Sequence, residues 1–262
     1  MLPATTGPNG VAASAYGVMG RHTVGMTGIA VRRVDFGYFV RPADETGSGA
    51  PQVEPVLGYV VTHPNATLLF DTGMGSHPVV DARYLPRRTP LPAALTATGV
   101  TVDDVTHVVN CHLHFDHCGG NPAFAGRPIY AQRVELATAR TAANYTLPEL
   151  IDTPGTTFEE LDGEAEVLPG VHVIPTPGHT DGHQSLLVRS RDGTIVVAGQ
   201  SHNTATSYGA DVLAWRARDD HHSMPAILVP DWIEILQRFD PRQVLFAHDH
   251  SVWRPSDAVW AV

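Results

Sequence analysis

Short apolar stretches of strand length run through this chain without the polar alternation of a half-wet sheet: Gly58–Thr62, Thr67–Asp71, His107–Asn110, Val171–Pro175, Ser185–Arg189, Thr194–Ala198 and Val244–Ala247. A strand that is apolar in both phases of its two-residue period must be covered on both faces, so these segments demand layers above and below a sheet. Helical patterns lie between them at Pro92–Thr98, Gln132–Asn144 and Pro230–Phe239, with proline in the first turn of the first and last. Sheet inside and helices outside predict an α/β layered fold. With 262 residues and 43% hydrophobic content, one domain spanning 1–262 is expected rather than two small ones.

Two segments lack a period. Residues 1–22 mix Ala, Gly, Thr and Pro and read as an N-terminal arm. Residues 200–225 carry His202, Tyr208, Trp215, Asp219, Asp220, His221 and His222, and read either as a lid over a site or as a long surface excursion. The Pro-, Gly- and Ser-rich stretches Arg41–Pro55 and Thr153–Thr157 read as surface loops.

The side-chain inventory excludes whole classes of chemistry. The chain has no lysine, so Schiff-base and P-loop mechanisms are out, whereas its 15 histidines favour metal or acid/base work. A formal net charge of -10 argues against nucleic acid as a partner. No stretch reaches the ~20 apolar residues of a membrane span, and residues 1–22 lack a signal-peptide pattern. A soluble cytoplasmic protein is the expectation, in keeping with only two cysteines, Cys111 and Cys118.

The densest chemistry lies in Asn110–Gly120, N-C-H-L-H-F-D-H-C-G-G, directly after an apolar run. His112, His114, Asp116 and His117 are four potential ligands within six residues, a density that suits zinc or another borderline first-row metal. This H-x-H-x-D-H pattern resembles the signature of the metallo-β-lactamase-like superfamily. The likeness extends to L-F-D-T-G-M at Leu69–Met74, T-P-G-H-T-D-G-H-Q-S-L at Thr176–Leu186 and L-F-A-H-D at Leu245–Asp249. Within the superfamily, F-D-H-C-G-G-N-P-A-F, P-G-H-T-D-G-H-Q-S-L and A-H-D are similar to the N-acyl-homoserine lactonase branch.

The resemblance implies a four-layer αββα sandwich. It implies that His112, His114 and His179 hold one metal, that Asp116, His117 and His248 hold a second, and that Asp71 supports the site from behind. It further implies a metal-bound hydroxide that attacks a lactone carbonyl, with Asp116 relaying a proton to the leaving alkoxide. Zn2+ is the expected cofactor, as one or two ions, with iron or manganese as alternatives.

Two positions depart from the family. Where the branch has an Asp shared between the metals, this chain has Gln200, a neutral amide that brings no charge to hold two dications together. Three outcomes stay open: two metals with altered bridging, one metal, or repair by Asp211, Asp219 or Asp220. The tyrosine that holds the substrate carbonyl is replaced by Asn203, which can donate to a developing oxyanion. Among the other histidines, His107 reads as structural, His183 as a group supporting the ligands or simply exposed, His250 as a less favoured ligand, and His221–His222 as solvated or lining a substrate mouth.

The expected function is a metal-dependent hydrolase opening a lactone or related ester of a small molecule, N-acyl-homoserine lactone being the family's nearest substrate. A thioester or specialised-metabolite hydrolase on the same site is the alternative. From another class, a single iron could bind dioxygen in an oxidoreductase. Oligomeric state is left open.

Overall fold

The computed structural model describes residues 28–220 and 228–255. The expected arm, His221 and His222 fall outside them, as do the side chains of Asp219 and Asp220.

The elements run β1 (Ala30–Arg41), β2 (Gln52–His63), β3 (Ala66–Phe70), α1 (Pro78–Tyr84), β4 (Arg87–Arg88), α2 (Leu91–Thr96), β5 (His107–Val109), β6 (Pro128–Gln132), α3 (Arg133–Thr141), β7 (Thr157–Leu161), β8 (Ala165–Leu168), β9 (Val171–Pro175), β10 (Gln184–Ser190), β11 (Gly193–Val197), α4 (Ala205–Asp220), α5 (Asp231–Gln237) and β12 (Pro241–Leu245). Seven strands form one sheet in the order β4-β1-β2-β3-β5-β6-β7, and five form another in the order β12-β11-β10-β9-β8.

The uninterrupted apolar runs resolve into two faces. Leu57, Tyr59 and Val61 of β2, Leu68 and Phe70 of β3, Val173 of β9, and Leu186 and Val188 of β10 meet in one core between the sheets. Their neighbours of opposite phase point outward. Val56, Val60 and Leu69 lie under α2 with Ala94 and Leu95. Leu187 and Val196 lie under α4 and α5 with Tyr208, Val212, Ile233 and Leu236. Helix, sheet, sheet, helix is the four-layer αββα sandwich, each buried aliphatic side chain contributing about 1.5–3 kcal/mol.

The predicted strands are all present, although β2 starts at Gln52, inside the stretch expected to be loop, and the last strand ends at Leu245 rather than Ala247. The helix expected to reach Asn144 stops at Thr141, because Ala142 turns extended (φ -83°, ψ 126°). Within 200–225, residues Ala205–Asp220 form α4, whose Tyr208 and Val212 are buried against the second sheet.

Strand β1 is irregular at one point. Its register with β2 shifts between Asp35 and Tyr38, and Gly37 there has φ 96°. A Cβ on Gly37 would overlap the Arg87 carbonyl, so only glycine fits this bulge. The extra residue brings Phe39 to the same face as Phe36.

Candidate metal centre

Every predicted ligand hangs from the C-terminal end of a strand, and these ends share one rim of the sandwich. The loop after β5 carries His112, His114, Asp116 and His117; His179 follows β9, Gln200 follows β11 and His248 follows β12. Backbone hydrogen bonds stitch these loops together: Thr72 N to His117 O at 2.8 Å, Gln184 N to Cys111 O at 2.8 Å and Ala247 N to Gly199 O at 2.9 Å. A side chain on Gly119 would overlap the backbone of Met74 and Gly75, so the closing glycine lets the ligand loop lie against the segment after β3.

The donors form two groups. His112, His114 and His179 make one, Asp116, His117 and His248 the other, each with its donor atoms within 4.8 Å of one another. In the first group, His112 Nε2 lies 2.9 Å from His114 Nδ1, which lies 3.3 Å from His179 Nε2. His112 is buried and His179 exposed. Burial, reinforced by neighbouring imidazoles, pulls His112 well below the ordinary histidine range; His179, exposed on its cavity side, still loses enough water among the ligand loops, with His114 and His117 beside it, to fall to about 3. Burial also takes His114 down to about 4 against the pull of Asp116. These rings are neutral near pH 7, as ligand imidazoles must be.

The second group is buried except where Asp116 meets the cavity, and its outer hydrogen bonds orient its imidazoles. His117 Nδ1 donates to Asp71 Oδ2 at 3.0 Å, and His248 Nδ1 donates to the Pro55 carbonyl at 2.8 Å. Both Nε2 atoms therefore turn inward, 3.3 Å apart. Asp116 Oδ2 stands 3.4 Å from the first and 3.5 Å from the second. Gln200 Oε1 stands 3.2 Å from His117 Nε2. Two imidazole nitrogens and two oxygens converge here, an arrangement that calls for a cation. The same demand for positive charge acts on His117: burial opposes its charged form, but Cys111, Asp116 and Asp71 outweigh that and hold it well above its usual range. Burial would likewise raise Asp116, yet His117, His248 and His114 hold it well below the carboxylate range. Zinc bonds of about 2.0–2.1 Å in a tetrahedral shell place neighbouring donors about 3.3–3.4 Å apart, so the residues present suit Zn2+.

Gln200 is held by two further contacts. Its backbone N–H donates to His183 Nε2 at 3.0 Å, and its side-chain amide donates to Asn203 Oδ1 at 3.4 Å. His183 is buried, and its Nδ1 donates to the Thr176 carbonyl at 3.0 Å. His183 thus supports the Gln200 turn. Asn203, expected to face an oxyanion, is exposed and does not line the cavity beside the ligands. The chain turns outward there to start α4, which leaves Asn203 orienting the Gln200 amide.

Asp211 accepts from His202 Nε2 at 3.0 Å and so is committed away from the ligands. His250 is exposed, His107 stacks on Tyr130 at 6.1 Å, and Tyr208 is buried with its hydroxyl accepting from Gln237. Cys111 sits behind the metal-facing atoms, 3.1 Å from both Asp71 Oδ2 and His112 Nδ1.

A cavity of about 910 Å³ opens onto both groups, touching His114, Asp116, His179 and Gln200. Of the described residues in 200–225, only Gln200 lines it. Its walls come from segments that carry no sequence motif: Phe39 and Arg41 at the end of β1, Tyr84 of α1, and Tyr145 and Leu147 after α3, joined by Phe115 of the ligand loop. Phe39, Tyr84 and Phe115 pack ring to ring, with centroids 5.0–5.9 Å apart. Buried Glu135 of α3 is a further residue that sequence reasoning does not single out. It accepts from Leu113 N and Thr180 Oγ1, both at 2.8 Å, and from the Tyr145 hydroxyl, tying two ligand loops to the cavity wall.

Known proteins resemble this chain in sequence and in fold. The family model described as the Metallo-beta-lactamase superfamily matches residues 51–253. An N-acyl homoserine lactonase of a Bacillus species is 34% identical over 172 residues, 60% of this chain and 68% of that protein. The N-acyl homoserine lactonase AttM of Azorhizobium caulinodans is 29% identical over 230 residues, 79% of this chain and 86% of that protein. Among solved structures, an N-acyl homoserine lactone hydrolase with N-hexanoyl-L-homoserine bound at its metal centre superposes with a TM-score of 0.64 at 24% identity, covering 84% of this chain and 93% of that one. AidC, a dizinc quorum-quenching lactonase, gives 0.60 at 14% identity over 88% and 95% of the two chains. The structural likenesses speak for the fold, and the match across most of the chain speaks for descent: this chain belongs to the metallo-beta-lactamase superfamily.

Proposed function

We propose that this metallo-hydrolase opens a lactone, with an N-acyl-homoserine lactone as the nearest substrate, at the rim where the two donor groups meet the cavity. The observation that carries the reading is the convergence of two ligand groups on one cavity with an aromatic wall, in a chain whose relatives are lactonases. His112, His114 and His179 would hold one zinc ion, and Asp116, His117, His248 and Gln200 a second. A zinc ion held at this rim with an open position would polarise a lactone carbonyl and lower the pKa of water.

The chain's own residues then do the rest. Phe39, Tyr84 and Phe115 bind an apolar substituent and exclude water from that side of the cavity. Asp116, ionised at the start, takes the proton of the attacking water and passes it to the ring oxygen as the ester C–O bond breaks, leaving a hydroxy acid. Asp71 and the Pro55 carbonyl keep the His117 and His248 lone pairs aimed inward throughout.

The test is a panel of lactones, esters and thioesters assayed on protein of measured zinc content. Lactone turnover that disappears on chelation and returns with zinc is expected. Silence on every lactone with both sites loaded would overturn the reading.

A further inference from the structure

The two donor groups differ in kind, and the difference lies in Gln200. Asp116, His117 and His248 present three potential ligand atoms 3.3–3.5 Å apart, and Gln200 Oε1 adds a fourth 3.2 Å from the His117 corner. All four residues are at most 7% exposed. Three of them are also held from behind: His117 by Asp71, His248 by the Pro55 carbonyl, and Gln200 by His183 and Asn203. The other group has three imidazoles and no fourth His, Cys, Asp or Glu beside them among the described residues, and His179 stands exposed at the cavity. A zinc ion with four protein donors is coordinatively closed, whereas one with three keeps a position for substrate.

We infer that the Gln200 group is a closed, structural metal site and that the His112–His114–His179 group alone is the open site at which substrate meets metal. A carboxylate at position 200 could share its two oxygens and its charge between two ions. The amide of Gln200 is neutral, its oxygen stands at the His117 corner and its nitrogen is turned to Asn203, so it adds a donor to that group without the charge that would hold a second ion beside it. The inference rests on the proposed metal-hydrolase reading, and it divides the labour between the two ions.

Cobalt titration of the metal-free full-length chain tests it, with azide as the probe of an open coordination position. The first equivalent of Co2+ should give a visible spectrum that azide leaves unchanged, and the second should add a band that azide shifts. His179→Ala should retain only the azide-insensitive ion, and Gln200→Ala should make both ions respond. Asn203→Ala, a mild exposed change that spares folding, should weaken the first equivalent by about 10–100-fold, the range for partners that orient ligands. A first equivalent that azide shifts, or an Asn203→Ala protein with unchanged affinity, would overturn the inference while leaving the hydrolase reading intact. A chain that takes up no metal at all would overturn both.

Discussion

Asp71 reaches the centre through a backbone conformation that most residues avoid. Its φ of 61° is left-handed, and its carboxylate accepts from Cys111 N at 2.8 Å and from His117 Nδ1 at 3.0 Å. Asparagine tolerates that conformation, so Asp71→Asn removes charge and acceptor capacity while sparing the backbone. It should weaken zinc binding by about 10–100-fold, measured by competition with a chromogenic chelator. At this scale the sequence is most legible where donors lie close together along the chain, as His112 to His117 do. It leaves the role of His183 open because the hydrogen bond to Gln200 spans 17 positions and exists only once β10 and β11 are paired. Asn203 misleads for a related reason: the type of residue suggests a donor to substrate, but the direction of the chain into α4 decides where its amide points.

Helix α4 begins with two caps. Thr204 Oγ1 accepts from Ser207 N at 3.1 Å, the usual side-chain cap three residues on, and Asp249 Oδ2 accepts from Ala205 N at 2.8 Å. Asp249→Ala should destabilise the protein by about 0.5–2 kcal/mol in denaturant titration, the range for lost caps. Burial tends to raise Asp249, but the Ala205 and Ser251 N–H groups hold it below its ordinary value of 3.8. Because the folded value is the lower one, this stabilisation is complete above the unfolded pKa and is lost as pH falls through the folded pKa. The destabilisation caused by Asp249→Ala should therefore be full at neutral pH and shrink below about pH 4. Although the sequence of α4 looks aperiodic, Ala205, Tyr208, Val212 and Trp215 recur at helical spacing and pack on the second sheet. Gly209 and the surrounding polar residues mask that stripe. The bulge at Gly37 has a sequence signal too, a glycine inside an otherwise strand-like run, yet its effect of presenting Phe39 to the cavity depends on the register with β2.

The sandwich as a whole is legible because its central strands are apolar in both phases. Outer strands such as β7 and β8 escape sequence reasoning because they are mostly exposed or half-buried and carry no such run. Leu186→Ala, in the core between the sheets, should destabilise the fold by about 2–5 kcal/mol in chemical unfolding, with no change in donor identity. Metal removal acts at the same scale, because zinc bound only by the folded chain adds to its stability. A chelator should lower the melting temperature by about 2–4 °C for each kcal/mol of binding free energy withdrawn. An unchanged melting temperature would show that the ions do not brace the rim.

The ligand loops also set an order of events during synthesis. The donors of the three-histidine group are complete once residue 179 has been added, but the Gln200 group waits for His248, near the far end of the described chain. No nascent fragment shorter than that can present the closed site. If that site is the structural one, its ion is acquired only after residue 248 has been added, and starving a cell of zinc would hold chains that already carry the three-histidine group short of their final state.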